Sequence, residues 1–240
     1  MNILVIAAHP DDEVLGMGGT IKKFTEKGHK VKIVIMATGI EARRSINFEN
    51  QDKYEISEKE KTIMRNQIVK IRNHSKKAVK LLGVNDIEFL DFPDNEMDKI
   101  SNLEITKVVE SLINKFKPSK IFTHSPHDVN IDHRLIYQAV ITATRPYSKQ
   151  IVNEVYSFEI PSSTEWFFPT SFQPNVFVDI SKELKLKLKA MKEYKTEIKK
   201  FPHPRSLKAL EHISKKWGSV AGYDAAEVFY LVRQLKKDFN

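Results

Sequence analysis

The chain is expected to fold as an α/β protein, with a Rossmann-like, doubly wound and mostly parallel sheet followed by a C-terminal extension. Three observations predict this. Strand-length apolar runs alternate with helix-length amphipathic segments as far as Pro146. The connections between them are short. A hydrophobic content of 41% beside 29% charged residues is that of an ordinary globular chain, and 240 residues suffice for one sizeable core.

Residues 2–8, carrying "ILVIA", read as a first buried strand, and "GTIKKFTEKG" (19–28) as a helix closed by Gly28. "HKVKIVIMAT" is the second strand. "ARRSINFENQDKYE" is polar and irregular and reads as a mobile loop. Ile63, Met64, Ile68, Ile71, Ala78, Val79 and Leu82 recur at helical spacing up to Gly83. "DIEFLDF" is a third strand, "LEITKVVESLINKF" a helix, "KIFTHS" a fourth strand after Pro118, and "DHRLIYQAVITAT" a helix that stops before Pro146. Beyond it, "QIVNEVYSFEI" and "PNVFVDI" look like strands flanking the aromatic loop "PSSTEWFFPTSFQ". A lysine-rich helix, the segment "FPHPRS" and a helix near "AAEVFYLVRQL" complete the chain. One domain over 1–240 is the simplest organisation, with a core over about 1–146 and an extension over about 147–240.

Composition narrows the function. The longest apolar runs fall far short of the ~20 residues a membrane helix needs. No basic region precedes the first run, so no signal peptide is expected. Without cysteine there is no disulfide and no thiolate metal site, which fits a cytoplasmic protein. The net charge of +8 favours an anionic partner, although the lysines of "SKELKLKLKAMKEYKTEIKK" read most simply as a solvated helix face. Basic strips interleaved with aromatics are not evident, so nucleic acid is not the expected partner.

The chemistry concentrates in "AAHPDDEVLGMGGT", where the first strand ends. Like charges crowded there need a cation, a protonated member or full solvation. His124 ends a strand and His133 opens a helix, so both reach the carboxyl edge that carries His9 and Asp12, where doubly wound sheets bind ligands. His, Asp and His from separate loops suit a catalytic zinc site, and without sulfur they also accept other divalent metals. "GMGGT" lacks the GxGxxG spacing and reads as close helix–strand packing. His29, His74 and His212, among lysines, read as surface residues. His124 reads equally as a satisfied strand end or a support for the site, and Trp217 as core.

"AHPDDE" after an N-terminal strand, paired with a downstream "DH" at a helix start, resembles the PIG-L/LmbE family of zinc-dependent de-N-acetylases. "FPDNEMD", "THSPHDVNIDHR", "SSTEW", "FPHPRS" and "AAEVFYL" extend the likeness to members from bacterial glycan biosynthesis. The resemblance implies His9, Asp12 and His133 as ligands of Zn2+ or another divalent ion, and Asp11 as general base. Pro10 stiffens the loop that turns His9 and Asp12 toward one ion. Asp11 beside an activated water can take its proton and return it to the leaving amine. Asp132 is a candidate to orient His133 or another group behind the ligands, and Glu13 is expected either outward or behind the ligands. Many relatives carry a histidine three residues before the last ligand, where this chain has Asn130, which can donate a hydrogen bond but carry no charge. Either the metal then supplies more of the charge stabilisation, or another group such as His203 of "FPHPRS" enters.

The expected reaction is removal of acetyl from an N-acetylated amino sugar, a small-molecule substrate that an anionic carrier would match to the basic charge. Arg43 and Arg44 are candidates to clamp hydroxyls or phosphate, Asp94 to accept from sugar hydroxyls, and Trp166 to stack on a pyranose or, equally, to pack its own loop. Two rival readings stay open: a metal-dependent amidase for another conjugate, and a non-catalytic binder of sugar nucleotides or nucleic acid.

Overall fold

The structure, a computed structural model, describes residues 1–40, 42, 58–147, 151–169 and 172–236. Seven strands form one sheet in the order β3-β2-β1-β4-β5-β7-β6. They are β1 Asn2–Ala7, β2 Lys30–Ala37, β3 Asp86–Phe92, β4 Lys120–His124, β5 Glu154–Phe158, β6 Val176–Asp179 and β7 Ala226–Gln234. The pairings among β1 to β5 are parallel, and β7 runs antiparallel to both β5 and β6. The segment after 146 thus continues the same sheet with β5, β7 and β6.

Side chains alternate across a strand, and β1 is buried on both faces because helices cover each side of the sheet. Ile3, Val5 and Ala7 join one apolar cluster with residues of α1 (Asp12–Glu26), α2 (Glu58–Leu81), α5 (Leu184–Glu193) and α6 (Leu207–Ala221). Leu4, Ile6 and Ala8 join the other, with α3 (Asn102–Phe116) and α4 (Ile131–Ala143). Helices on both faces make the sheet doubly wound. Among the described residues no helix is long and apolar enough to cross a membrane.

Helix α1 begins at Asp12, seven residues before the expected start at Gly19. Asp12 and Glu13 occupy its first turn, where the helix dipole favours negative charge, while the glycines that follow lower helix propensity and hide the start. Those glycines admit close neighbours: a Cβ at Gly16 would lie 2.6 Å from the Phe158 ring, and one at Gly19 would lie 2.7 Å from Ile180. This is the close helix–strand packing expected of "GMGGT".

α1 also breaks at Met17 (φ −150°, ψ 25°). A buried ion pair bridges the break. Glu227 on β7 accepts from the backbone N–H of Gly19 (2.9 Å) and Thr20 (2.6 Å). Lys187 on α5 donates to the Leu15 carbonyl (2.9 Å) and to Glu227 (2.7 Å). The open carbonyl end of the first half and the open N–H end of the second are both satisfied, as helix termini require.

The C-terminal segment departs from expectation. Residues 226–234 form strand β7 instead of a helix, and the helix of this region, α6, comes earlier. A short apolar run does not distinguish a buried helix from a buried strand by periodicity. The Val, Phe and Tyr of "EVFYLV" favour the strand once β5 and β6 offer it a place. His74 is buried instead of exposed. The loop expected at 42–55 lies, apart from Ala42, outside the described residues.

Candidate metal centre

The strand order reverses between β1 and β4, and both strands deliver histidines there. His124, the last residue of β4, accepts a 2.8 Å hydrogen bond from the Ala8 backbone N–H. The chain then turns through His9 and Pro10 to Asp11, which precedes α1 with φ at 113°, a backbone strain of the kind that clusters at functional sites.

Three donors converge. His9 Nδ1 and His133 Nε2 lie 3.3 Å apart, Asp12 Oδ2 is 3.3 Å from His133 Nε2, and it is 3.5 Å from His9 Nδ1. Tetrahedral coordination at the ~2.0–2.1 Å typical of Zn–N and Zn–O bonds requires donor separations of about 3.3–3.4 Å, so the triangle already has the necessary size. The second oxygen of Asp12 is buried and has no hydrogen-bond partner. An unpartnered buried carboxylate oxygen beside two imidazoles fits a cation. Two neutral nitrogens and a carboxylate are a donor set for zinc and other divalent ions.

A second grouping, His9 with Asp94 and Asp132, also brings its ligand atoms together and shares His9 with the first. His9 Nε2 stands 3.0 Å from an oxygen of each carboxylate. Asp132 also accepts from the backbone N–H of Asn95 (2.6 Å) and Met97 (3.2 Å), and Asp94 from Ala42 N–H (3.0 Å) and the Asn95 amide (2.9 Å). With its Nε2 proton held there, His9 turns Nδ1 toward the triangle, the usual carboxylate support of a ligating histidine. Asp132 therefore orients His9 and not His133. The carboxylate behind His133 is Asp128, 3.1 Å from Nδ1, which in turn accepts from the Ser163 and Thr164 hydroxyls. His124 stacks flat on His133 at 3.9 Å between ring centroids, while its own buried Nδ1 has no hydrogen-bond partner, so it supports the cluster and is only half satisfied as a strand end.

The electrostatics mark where positive charge belongs. Burial alone would lower His133, yet Asp12 and Asp128 hold it up to about 9. Burial likewise opposes His9, and Asp12, Asp132 and Asp94 outweigh it to hold the imidazole well above its ordinary value. Asp12 is pulled well below the carboxylate range, against burial, by His133, His9 and His124. Burial pushes Asp11 well up, with Arg205 opposing and Asp12, Glu197 and Glu13 adding to the push. Glu13 is buried behind the ligands, where burial raises it to about 7 while it accepts from Tyr194 and from the Asp11 N–H.

A cleft of about 150 Å3 opens over this cluster, lined among others by His9, Asp11, Asp94, Asn130, Glu197 and Arg205. Asn130 caps α4, accepting from Asp132 N–H (2.9 Å) and donating to Asn95 (2.8 Å). His203 is not among the lining residues, and its Nδ1 accepts from the Arg205 N–H (3.1 Å). Arg205, two residues on, enters instead and places Nη1 3.2 Å from Asp11 Oδ2. Asp94 is buried with its oxygens engaged as described. Trp166 is 48% exposed on the short 3-10 turn Thr164–Trp166. Arg43 and Arg44 lie outside the described residues. His127 is exposed. Asp128 and Arg205 are the residues sequence reasoning missed, although both lie inside motifs it had singled out.

Fold and donors together define a doubly wound α/β protein with a His–Asp–His cluster at its switch point. The chain belongs to the PIG-L family, described as GlcNAc-PI de-N-acetylase, which matches residues 4–144. It is 28% identical over 233 residues to the diacetylchitobiose deacetylase of Thermococcus kodakarensis, covering 94% of this chain and 80% of that one. Its fold matches the N,N'-diacetylchitobiose deacetylase of Pyrococcus horikoshii with a TM-score of 0.74 at 23% identity, covering 96% and 83% of the two chains. It also matches a 4-carboxy-2-hydroxymuconate hydratase from Pseudomonas putida KT2440, with a TM-score of 0.74 at 20% identity and 100% and 99% coverage. The fold thus hosts more than one reaction, and the site must carry the functional argument.

Proposed function

We propose that this chain is a zinc-dependent N-deacetylase that releases acetate from an N-acetylated amino sugar or its conjugate. The observation that carries the reading is the His9–Asp12–His133 triangle, with an unpartnered Asp12 oxygen and Asp11 beside it. Its similarity to a diacetylchitobiose deacetylase supports the amino-sugar class. When bound, the ion supplies the charge that polarises the amide carbonyl and brings the pKa of water toward ~7.

The remaining steps fall to the protein's own groups. Asp11, raised by burial, takes a proton from the water that attacks the acetyl carbon. As the C–N bond breaks, it returns that proton to the departing nitrogen, so the products are acetate and the free amine. Asp94 and Asp132 hold the His9 proton on Nε2, and Asp128 fixes the His133 ring. Asn130 at the cleft wall offers an amide proton to the developing oxyanion. Trp166 presents an indole to the sugar face, Arg43 and Arg44 serve an anionic carrier, and the setting is the cytoplasm.

Acetate release from a panel of N-acetyl-sugar conjugates, measured with and without chelator, tests this. Release that chelator abolishes and zinc restores is expected. Turnover of a hydratase substrate without any acetate release would overturn it.

A further inference from the structure

We propose that Arg205 is a positioning residue of this reaction: its guanidinium holds the Asp11 carboxylate in place and ties it to the loop that carries Trp166. The inference rests on the reading of Asp11 as base. Asp11 heads α1, yet its carboxylate caps no backbone N–H there. Its buried neighbours Asp12, Glu13 and Glu197 are all acids, so repulsion would swing the carboxylate away from a productive direction. Among the described residues Arg205 is the cation in ion-pair contact with it, with Nη1 3.2 Å from Oδ2. One oxygen is thereby engaged and the other is left for proton transfer.

Arg205 is itself anchored. Its Nε donates to Ser162 Oγ (2.7 Å), Nη1 stands 3.5 Å from Glu197, and the next residue, Ser206, caps α6 through Ala209 N–H. A planar guanidinium held at several points fixes direction as a flexible ammonium does not. Ser162 belongs to the loop whose Ser163 and Thr164 hydroxyls bind Asp128 behind His133. The Ser162–Trp166 loop therefore reaches the base through Arg205 and a candidate metal ligand through Asp128.

The test compares Arg205→Ala, Arg205→Lys and Ser162→Ala with Asp11→Asn on the best N-acetyl substrate, recording bound metal, kcat and KM, and adding guanidinium chloride to Arg205→Ala. Arg205→Ala should keep its metal and KM while kcat falls by ~10²-fold, the loss expected when a reacting group is misplaced by about 1 Å. Millimolar guanidinium should restore at least about tenfold of that, and Arg205→Lys should recover little because it lacks the planar fork. If Arg205→Ala does not fold, Ser162→Ala decides: it removes one anchor and keeps the charge, and its kcat should fall several-fold at unchanged metal content. An unchanged kcat in Ser162→Ala and Arg205→Lys, or a loss confined to KM, would overturn the proposal. A fully active Asp11→Asn would instead remove the base reading beneath it, whereas an inactive Asp11→Asn beside active Arg205 and Ser162 variants sinks the positioning role alone.

Discussion

Lys187→Met and Glu227→Gln probe the buried pair that spans the break in α1. Removing either partner leaves the other charge buried and uncompensated, which typically costs about 3–5 kcal/mol. The two should not cost the same. After Lys187→Met, Glu227 still accepts from Gly19 and Thr20 N–H at the start of a helical segment, where its charge is favoured. That places the loss near the lower end, about 3 kcal/mol. After Glu227→Gln, the ammonium keeps only the Leu15 carbonyl among the partners described above, so the loss should approach about 5 kcal/mol. In the double variant no charge is stranded, and its cost should fall short of the sum of the singles by about 1–3 kcal/mol. Urea unfolding followed by circular dichroism measures all three, with chelator present throughout so that metal binding does not add unequal stability. Single variants within about 0.5 kcal/mol of wild type, or strictly additive losses, would refute the bridging role.

Three further outcomes are expected. His133→Ala should stay folded and lose most of its metal, and full occupancy by elemental analysis would remove it from the ligand set. For metal-free protein, His133 is raised from an ordinary 6.5 to about 9, so the stability it contributes is present below pH 6.5 and is lost as pH rises through 9. The urea midpoint in chelator should therefore drop between pH 6.5 and 9, and a flat or rising midpoint would contradict the ion-pair contacts of that ring. Trp166→Ala should raise KM by up to about tenfold, equivalent to roughly 1 kcal/mol of aromatic contact, at unchanged metal content. An unaffected KM would take the indole out of sugar recognition.

What the sequence made legible was local. The β1 run is apolar without interruption, the "DIEFLDF" strand follows the turn at Gly83, and "AHPDDE" sets His9 and Asp12 three residues apart on one stiff loop. The doubly wound order followed from the alternation, and it brings His124 and His133 to the same edge as His9. Roles that depend on which way a neighbour turns were hidden. Asp132 precedes His133 in the chain, but successive helical residues point about 100° apart, and Asp132 faces His9 while Asp128 takes His133. His203 and Arg205 share one short motif, and the backbone between them decides which reaches Asp11, 194 residues away in sequence. β7 was hidden for a related reason: its apolar run becomes a strand only because two strands distant from it leave a gap of the right width.

That gap has a consequence for synthesis. β7 is made after β5 and β6 yet lies between them, so on a growing chain those two strands cannot close on each other and must each wait with a bare edge. The three candidate ligands have all been synthesised by residue 133, long before Glu227 is added to bridge the break in the helix that follows the first loop. A nascent or prematurely terminated chain that reaches Asp179 but not Ala226 would present unpaired β5 and β6 edges, the kind of template that recruits other chains. Quality control of this protein therefore hinges on a late insertion, and translational pausing just before Ala226 should be the point at which it is most prone to aggregate.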